Sequence, residues 1–443
     1  MQIIVPAREI PVLAEADLVV VGGGPAGIAA AVSAARHGAE VILLERWPSV
    51  GGQATNALVN IWHTSDRTKQ VIYGLVQETI ERCGKDIKRY AHYPGQPETH
   101  EFEPCAMRIV FHQMLEDANV RTFCHLAAVE SIAGNGRIRG VFADSKTGRK
   151  AVLGKIFIDA TGDGDIAANA GIPFEYGRKT DGRVQGMTMM FRLCGLNPEK
   201  VLENPKEADR VFSLMKELRA KGEFPPFLDL AADSYLHGPR PHTVSYNMCP
   251  VAGNPLDEEE LTRLSVQARR QIRRYADLWR KEMPGFENCE IEQTGFWLGI
   301  RESRRICGLK TLDAPMVVKA VKQTDAIGHG FWMVDIHDPK GSGHTTWCDQ
   351  KGESMPPPGE SYHIPLGICL NSHIPNLAVA GRCASTTHEG QASVRIQTHC
   401  MVMGQGVGTA AALALKANTD MANVDMGKLQ ATLKTDGVYL EKK

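Results

Sequence analysis

Short apolar runs alternate with runs of small residues near the start of the chain. In ADLVVVGGGPAGIAAAVSAARHGAEVILLE, the pattern predicts a buried strand over Asp17–Val21, an alanine-rich helix over Pro25–His37 and a second strand over Glu40–Leu44. Continuous apolar positions, rather than alternating ones, are typical of strands that are covered on both faces of a parallel sheet. Residues 17–44 are therefore expected to form a βαβ unit.

Two later stretches have the same character. KIFIDATGDGDIAANAG places an apolar strand, Lys155–Asp159, before the small and acidic run Ala160–Asp165. NLAVAGRCASTTHEGQASVRIQTHCMVMGQGVGTAAALAL places a strand at Leu377–Ala380 before a polar loop and a long helix that is predicted to begin near Val394. Both strands end in turn-forming residues, so we expect them to return to the sheet of the βαβ unit.

The middle of the chain breaks this α/β pattern. VQGMTMMFRLCG predicts a strand, Glu258–Lys281 a helix rich in charge, and residues 335–365 a long loop with many turn formers. We therefore predict an inserted α+β domain over 176–350, which would cap the site. The first domain would then consist of two parts, 1–175 and 351–443.

The turn after the first strand has the glycine spacing of a dinucleotide-binding motif. Gly22 permits the tight turn, Gly24 leaves room for a pyrophosphate, and Gly27 lets the helix pack closely on the strand. Glu45 ends the second strand, where an acid binds ribose hydroxyls and disfavours NADP. This turn leaves NAD and FAD open. The similar GNGRIRG at Gly134 lies between two short strands and is predicted to be a hairpin turn.

Three further segments favour a flavin. ERWPSVGGQATNALVN would fold over the pyrophosphate and run beneath the isoalloxazine ring, and the two later strand-end turns would complete the site. The glycine turn, ATGDGD and VAGRCAS…THEGQASVR…MGQGVGTAAA together resemble the FAD-dependent oxidoreductase family of the wider fumarate reductase and succinate dehydrogenase flavoprotein class. The resemblance covers residues 1–175 and 290–443. It implies a Rossmann-like FAD-binding domain of the glutathione-reductase type and non-covalent FAD.

The resemblance also implies which residues contact the cofactor. Val129 would meet adenine through its backbone, and Gly381 and Arg382 would lie beside the ribityl chain. Many relatives outside the family have an acid where Arg382 stands, so a backbone contact is expected there. The complete set of implied contacts is Gly22, Gly24, Pro25, Ala26, Gly27, Glu45, Arg46, Gly52, Gln53, Thr55, Val129, Ala160, Thr161, Gly162, Gly381, Arg382, Val394 and Ile396.

The last long helix has two possible relations to the flavin. If it begins near Val394–Gln397, its dipole would point at the flavin N1–C2=O edge and stabilise negative charge on the reduced ring. Gly404, Gly406 and Gly408 would then lie inside the helix, where glycine is costly. We expect these glycines to allow close packing against the first helix or a neighbouring strand; direct contact with the flavin is the alternative.

Four residues are candidates for the chemistry of an enzyme that moves a hydride between a substrate carbon and flavin N5. His388 in STTHEG and then His63 are candidates for the proton-transfer group, because histidine titrates near neutrality. Arg301 or Arg395 would orient an anionic or oxygen-rich substrate. Structural roles remain open for all four: a histidine bonded to backbone, or an arginine that joins two segments.

Composition excludes some classes of partner. The chain has 443 residues, with 50 Lys and Arg against 51 Asp and Glu, so it has no basic field that would favour nucleic acid or an anionic membrane. The first residues lack the pattern of a signal peptide, and no apolar run approaches the roughly 18 residues of a membrane span. We therefore predict a cytoplasmic enzyme without a membrane span.

Cysteine and histidine spacing gives no support for a metal. The 11 cysteines are odd in number and include no CxxC pair, which disfavours a zinc ribbon or a disulfide framework. His337, His344 and His363 match no common metal site. We predict no metal, a small-molecule substrate, an unknown electron acceptor and, by default, a homodimer. The alternatives are a binding protein with an FAD fold and a flavoenzyme with a net non-redox reaction.

Overall fold

The computed structural model describes residue 3 and residues 7–90, 99–227, 234–235, 239–341 and 344–440. Both helices and strands occur throughout this length. The helices are α1 Pro25–Arg36, α2 Gly52–Thr55, α3 Leu75–Cys83, α4 Pro104–Asp117, α5 Asp165–Asn169, α6 Pro198–Glu203, α7 Pro205–Ala220, α8 Glu258–Glu282, α9 Ala314–Val318, α10 His388–Val394, α11 Gln397–Ala417 and α12 Met426–Thr435. The strands are β1 Val12–Val21, β2 Val41–Leu44, β3 Ile61–His63, β4 Ile87–Tyr90, β5 Thr99–Phe102, β6 Arg121–Phe123, β7 Ala127–Gly134, β8 Arg137–Ser145, β9 Gly148–Asp159, β10 Phe174–Tyr176, β11 Met187–Cys194, β12 Ser234–Tyr235, β13 Thr243–Val251, β14 Glu290–Thr294, β15 Arg304–Ile306, β16 Ala326–Gly330, β17 Asp335–His337, β18 His344–Thr346, β19 Tyr362–Pro365 and β20 Leu377–Val379.

The main sheet has seven strands and a parallel half. Its order is β6-β2-β1-β9-β8-β7, and β20 pairs with the end of β9. The pairs β1–β2, β1–β9, β2–β6 and β9–β20 are parallel, whereas β7–β8 and β8–β9 are antiparallel. Both the predicted βαβ unit and the return of the C-terminal strand to the same sheet are confirmed. The hairpin turn predicted at Gly134 is also confirmed, since it joins β7 to β8.

Helices α1 and α11 pack against each other with almost no space between their backbones. A Cβ on Gly404 would lie 2.0 Å from the carbonyl oxygen of Ala26, and one on Gly408 would lie 2.2 Å from that of Ala30. A Cβ on Gly406 would lie 2.5 Å from a side-chain carbon in β16. The glycines therefore serve close packing, as predicted.

The long C-terminal helix begins at Gln397, at the end of the predicted range Val394–Gln397. The short helix α10 comes first, and Ile396 adopts an extended conformation (φ −62°, ψ 149°) as the N-cap of α11. The buried His399 fixes this break: its Nε2 accepts from the backbone N–H of Phe331 at 3.3 Å, and its Nδ1 lies 3.2 Å from the carbonyl oxygen of Ser393. The break orients the start of α11 separately from α10.

Helix α11 is long and apolar enough to cross a membrane by length and composition alone, which the sequence prediction did not anticipate. Its most apolar 18-residue window is 83% buried inside the protein. Packing against α1 and β16 accounts for this apolar composition, as for other core helices.

A second hydrophobic core belongs to the inserted part of the chain. The sheet β12-β13-β11-β14 packs on α8, and the stacked rings of Phe191, Tyr246 and Trp279 lie in its centre. The buried residues of this core extend from Met187 to Leu298, whereas those from Ile306 onward belong to the core of the main sheet. We therefore propose that the inserted domain ends near residue 300, earlier than the predicted limit of 350.

The segment 335–365 contains regular structure, so its prediction as one long loop is wrong in detail. β17 and β18 pair as an antiparallel hairpin, and β19 pairs with β16. Each of these strands has only three to five residues. Runs this short, between many turn formers, leave little periodicity for a sequence pattern to show.

Candidate functional site

One cavity of about 780 Å³ lies at the carboxyl ends of the parallel strands, between the main sheet and the inserted domain. In a parallel sheet, the turns that follow these strand ends converge on one edge, where ligands bind. Here the turns after β1, β2, β9 and β20 all line the cavity. Its lining residues include most of the predicted cofactor contacts: Gly22, Gly24, Pro25, Ala26, Glu45, Arg46, Gly52, Gln53, Val129, Ala160, Thr161, Gly162, Gly381 and Arg382.

The glycine turn combines two crowded positions with one open position. A Cβ on Gly22, whose φ is +104°, would lie 2.5 Å from the carbonyl oxygen of Ala160, and one on Gly27 would lie 1.8 Å from that of Gly22. A Cβ on Gly24 would meet no protein atom within 4 Å. Because Gly24 lines the cavity and precedes the uncapped start of α1, its open side can receive a phosphate.

Glu45 is held rigidly at the cavity wall. Its Oε2 accepts from the backbone N–H of Gly23 at 2.7 Å, and its Oε1 accepts from that of Trp47 at 2.9 Å. Burial raises the pKa of this carboxyl, and the two backbone bonds oppose the rise. The carboxylate therefore has a fixed position with remaining acceptor capacity, which suits ribose hydroxyls.

The turn after β9 is held by the fully buried Asp159. Its carboxylate accepts from the backbone N–H and hydroxyl of Thr161 and from the backbone N–H groups of Ile166 and Ala167, at 2.7–3.0 Å. Burial raises the pKa of Asp159 to about 6, with a smaller contribution from the nearby Asp165. These bonds join the strand end to α5 and fix residues 160–162 at the cavity.

Ion pairs connect this turn to distant segments. Arg382 Nη2 lies 3.1 Å from Asp163 Oδ1, and Arg304 Nη1 donates to Asp165 Oδ1 at 2.9 Å. All four residues line the cavity. Arg382 therefore holds the neighbouring turn through Nη2, while its Nη1 has no partner among the described residues.

Four predicted cofactor contacts do not line the cavity. Gly27 is used for packing against Gly22, and Thr55 is buried and donates its hydroxyl to the carbonyl oxygen of Val50 at 3.0 Å. Val394 is only 1% exposed at the end of α10, and Ile396 is the N-cap of α11. Their flanking residues Arg395 and Gln397 line the cavity instead.

The predicted catalytic residue His388 lies in a buried polar network behind the cavity wall. Its Nδ1 donates to the fully buried carboxylate of Glu302, at 2.8–2.9 Å from its two oxygens. Glu302 also pairs with Arg305 and accepts from the backbone N–H of Gln185 at 2.9 Å. The network joins the inserted domain to the C-terminal segment. His388 therefore lies outside the cavity lining and is bonded to a carboxylate rather than to backbone, and its predicted part in proton transfer stays a prediction.

His63 and Arg301 also lie outside the cavity lining. His63 stacks on Trp332, with ring centroids 4.2 Å apart. Arg301 is 8% exposed and donates to the carbonyl oxygen of Gly186 at 2.7 Å and to the hydroxyl of Thr188 at 2.6 Å, so it braces the start of β11. Of the four catalytic candidates, Arg395 lines the cavity.

Sequence patterns missed an aromatic pair that joins the two domains. Trp297 of the inserted domain stacks on Trp47, with ring centroids 4.8 Å apart and an interplanar angle of 20°. Both rings line the cavity, and Leu298 and Ile300 extend the same wall. The pair closes the site on the side of Glu45. No local pattern could indicate it, because its partners are separated by most of the inserted domain.

Two buried guanidinium groups leave hydrogen-bond donors unused at the cavity. Arg382 Nη1 and Arg395 Nε have no partner among the described residues, and both side chains line the cavity. Buried donors of this kind are normally satisfied, so a ligand rich in acceptors is expected to complete them. Together with the open side of Gly24, these donors fit a flavin dinucleotide.

Within the described ranges, no group of three or more His, Cys, Asp or Glu side chains is arranged to hold a metal ion. All 11 cysteines lie in these ranges and are free, and Cys369 and Cys400 are buried. The side chain of His344, one of three histidines considered for a metal, lies outside the described residues.

Comparison with known proteins identifies the family. The family model described as FAD dependent oxidoreductase matches residues 17–433. The curated soluble pyridine nucleotide transhydrogenase of Chromohalobacter salexigens is 29% identical over 155 residues, which are 33% of this chain and 30% of that protein. The matched part therefore spans less than a third of that relative.

Solved structures are similar over almost the whole chain at low identity. A geranylgeranyl bacteriochlorophyll reductase-like protein from Thermoplasma acidophilum has a TM-score of 0.47 and 14% identity, covering 95% of this chain and 83% of that one. The p-nitrophenol 4-monooxygenase of Pseudomonas putida has a TM-score of 0.44 and 12% identity, covering 97% and 90%. Together with the family match, the parallel sheet confirms the predicted Rossmann-like FAD-binding fold.

Proposed function

This chain belongs to the FAD-dependent oxidoreductase family, and we propose that it transfers a hydride between a carbon of a small organic substrate and N5 of non-covalently bound FAD. We further propose that its chemistry is most similar to that of flavoproteins of the fumarate reductase and succinate dehydrogenase class, because its motifs resemble theirs. The observation that carries the proposal is the single cavity that both parts of the main domain and the inserted domain enclose.

The lining residues indicate how FAD would lie. The open side of Gly24 and the start of α1 would hold the pyrophosphate, and Glu45 would bind the adenosine ribose. Gln53 and Gln397, which line the cavity on opposite segments, would then flank the isoalloxazine end. Bound FAD supplies the electron acceptor or donor, while the protein orients the substrate and excludes water.

Substrate would enter between the flavin and the inserted domain. Leu298 and Ile300 give that wall an apolar character, and Arg395 adds a buried positive charge. We therefore propose a substrate with an apolar carbon skeleton and an anionic or oxygen-rich group. Arg395 would orient that group and stabilise negative charge that develops on it.

The proton requires a separate route, because no histidine occurs among the described residues that line the cavity. Asp163 is paired with Arg382, and burial raises the pKa of the Cys400 thiol to about 12, so this thiol stays protonated near neutrality. We propose that water in the cavity carries the proton. The predictions of a cytoplasmic location, a homodimer and a separate electron acceptor stay predictions.

Anaerobic mixing tests the hydride step. The FAD-loaded protein is combined with candidate substrates that have an oxidisable C–H bond beside an oxygen-rich group, and the visible absorbance of the oxidised flavin is followed. We expect bleaching that slows when the reacting carbon carries deuterium. Consumption of a substrate without any bleaching would contradict hydride transfer and favour the net non-redox alternative. Protein that stays colourless after FAD is added would favour the binding-protein alternative.

A further inference from the structure

An arginine–aspartate pair lies at the end of the cavity where α11 begins. Arg395 directly precedes the N-cap of α11, and its Nη2 donates to the backbone carbonyl oxygen of Asp335 at 3.0 Å and to its carboxylate Oδ2 at 3.1 Å. The two side chains are 11% and 12% exposed. A pair this deeply buried has a fixed geometry and is weakly screened by solvent.

The two partners have different access to the cavity. Arg395 lines it, and its Nε has no hydrogen-bond partner among the described residues. Asp335 does not belong to the lining and contacts the guanidinium from behind. A ligand in the cavity would therefore contact Arg395 but not Asp335. The negative charge of Asp335 would weaken the positive field of Arg395 at the ligand.

Other charged groups near the pair are also arranged in pairs. His337 Nε2 lies 3.5 Å from Asp335 Oδ2, and Arg382 on the same wall is paired with Asp163. Burial lowers the pKa of the Arg395 guanidinium, and the charge of Asp335 opposes this effect. Asp335 thus both favours the charged form of Arg395 and offsets the field that this charge produces.

We propose that Asp335 is a positioning residue that sets the reduction potential of the flavin, by holding Arg395 at the cavity wall and offsetting its positive charge. The proposal rests on the proposed function, which places the isoalloxazine end beside Gln397 at the start of α11, and on the expectation that the N1–C2=O edge of the ring faces this helix start. Two-electron reduction adds negative charge to this edge, so positive charge beside it favours the reduced form. Removing the acid or the arginine should therefore shift the potential in opposite directions.

Two measurements on FAD-loaded protein test these opposite shifts without any substrate. The midpoint potential is determined by anaerobic dye-coupled reduction, and sulfite affinity is determined by titration, since sulfite addition also places negative charge on the ring. We expect Asp335→Asn to raise the potential and tighten sulfite binding, and Arg395→Gln to do the reverse. A roughly tenfold change in the equilibrium constant, or about 30 mV for a two-electron couple, is the expected size.

A matched control and a conservative variant separate charge from structure. Asp420→Asn removes an acid that pairs with Arg137 at 2.7 Å and lies outside the cavity lining, so it should leave both quantities unchanged. Arg395→Lys keeps the charge and should stay close to the unmodified protein. An unchanged or lower potential in Asp335→Asn would overturn the proposal, because it would show that the charge of Asp335 does not weaken the positive field at the flavin.

The test remains decisive if Asp335→Asn fails to bind FAD. In that case Asp335→Ser, a second neutral variant, takes its place with the same expected rise in potential, and an unchanged or lower potential in that variant overturns the proposal. Failure of hydride transfer is a separate result, because potential and sulfite affinity are measured without turnover. The potentials of the variants could shift in the expected directions even if none of the tested substrates reduced the flavin.

Discussion

Replacing Gly404 by alanine tests whether the contact between α1 and α11 builds the site. The new Cβ would lie 2.0 Å from the carbonyl oxygen of Ala26, and the obstacle is backbone, so no change of rotamer relieves the clash. Ordinary contact begins at 3.4 Å, which means that the helices must separate by roughly 1.4 Å, the difference between these distances. The start of α11 would then move away from the cavity.

The expected loss of stability follows from two opposing effects. Overpacking of this kind costs about 1–3 kcal/mol, while replacing glycine by alanine inside a helix gains up to about 1 kcal/mol. Because the clash is with backbone, the upper part of the overpacking range applies, and we expect Gly404→Ala to lower the free energy of unfolding by about 2 kcal/mol, that is about 3 less about 1. Because the starts of both helices line the cavity, FAD affinity should fall as well.

Urea unfolding of the apo protein and titration with FAD measure the two effects. Gly427→Ala is the matched control: Gly427 is exposed on α12, where the nearest atom to its new Cβ is a side-chain oxygen of Asp425 at 3.2 Å. This control should be neutral or slightly stabilising. If Gly404→Ala were as stable as the control and bound FAD normally, the proposed role of this packing would be wrong.

Two further predictions concern the stacked pair Trp47–Trp297 and the buried His399. Trp297→Ala removes the ring that stacks on Trp47, a contact of a kind that contributes about 0.5–1.5 kcal/mol. FAD should therefore dissociate up to roughly tenfold faster, as followed by recovery of flavin fluorescence. An unchanged dissociation rate would show that this contact does not slow the release of FAD. Burial lowers the pKa of His399 to about 3, whereas in the unfolded chain this histidine has its ordinary pKa of about 6.5, so stability must fall as pH drops below 6.5. Between pH 6.5 and 5, this histidine should lower the free energy of unfolding by about 2 kcal/mol. Urea titrations of His399→Gln should not show this decrease. The same pH dependence in both proteins would contradict the low pKa of His399.

Local sequence patterns predicted the cofactor-binding half of the site. The strands that end at Val21, Leu44 and Asp159 contain continuous apolar residues, and each is followed by small or acidic residues whose chemistry suits a dinucleotide. Because these strands are parallel neighbours, correct prediction of the elements was enough to bring their turns together. The C-terminal turn at Gly381 followed from the same reasoning, through the strand that pairs with β9.

The substrate side could not be predicted in this way. Histidine composition pointed to His388, but the partner that buries it, Glu302, lies in an irregular segment with no periodic pattern. Arg395 was identified, yet its partner Asp335 belongs to a three-residue strand inside a predicted loop. Such contacts depend on how the inserted domain docks, and single-sequence patterns contain no information about docking.

The most direct test of the account is FAD binding by Gly24→Val. The new side chain would extend from an open position that meets no protein atom within 4 Å, at ordinary backbone angles (φ −76°, ψ 179°), so the apo protein should fold with unchanged stability. It would occupy the space assigned to the pyrophosphate. We predict that the variant unfolds at the same urea concentration as the unmodified apo protein but no longer retains FAD; a folded variant that binds FAD with unchanged affinity would contradict the account.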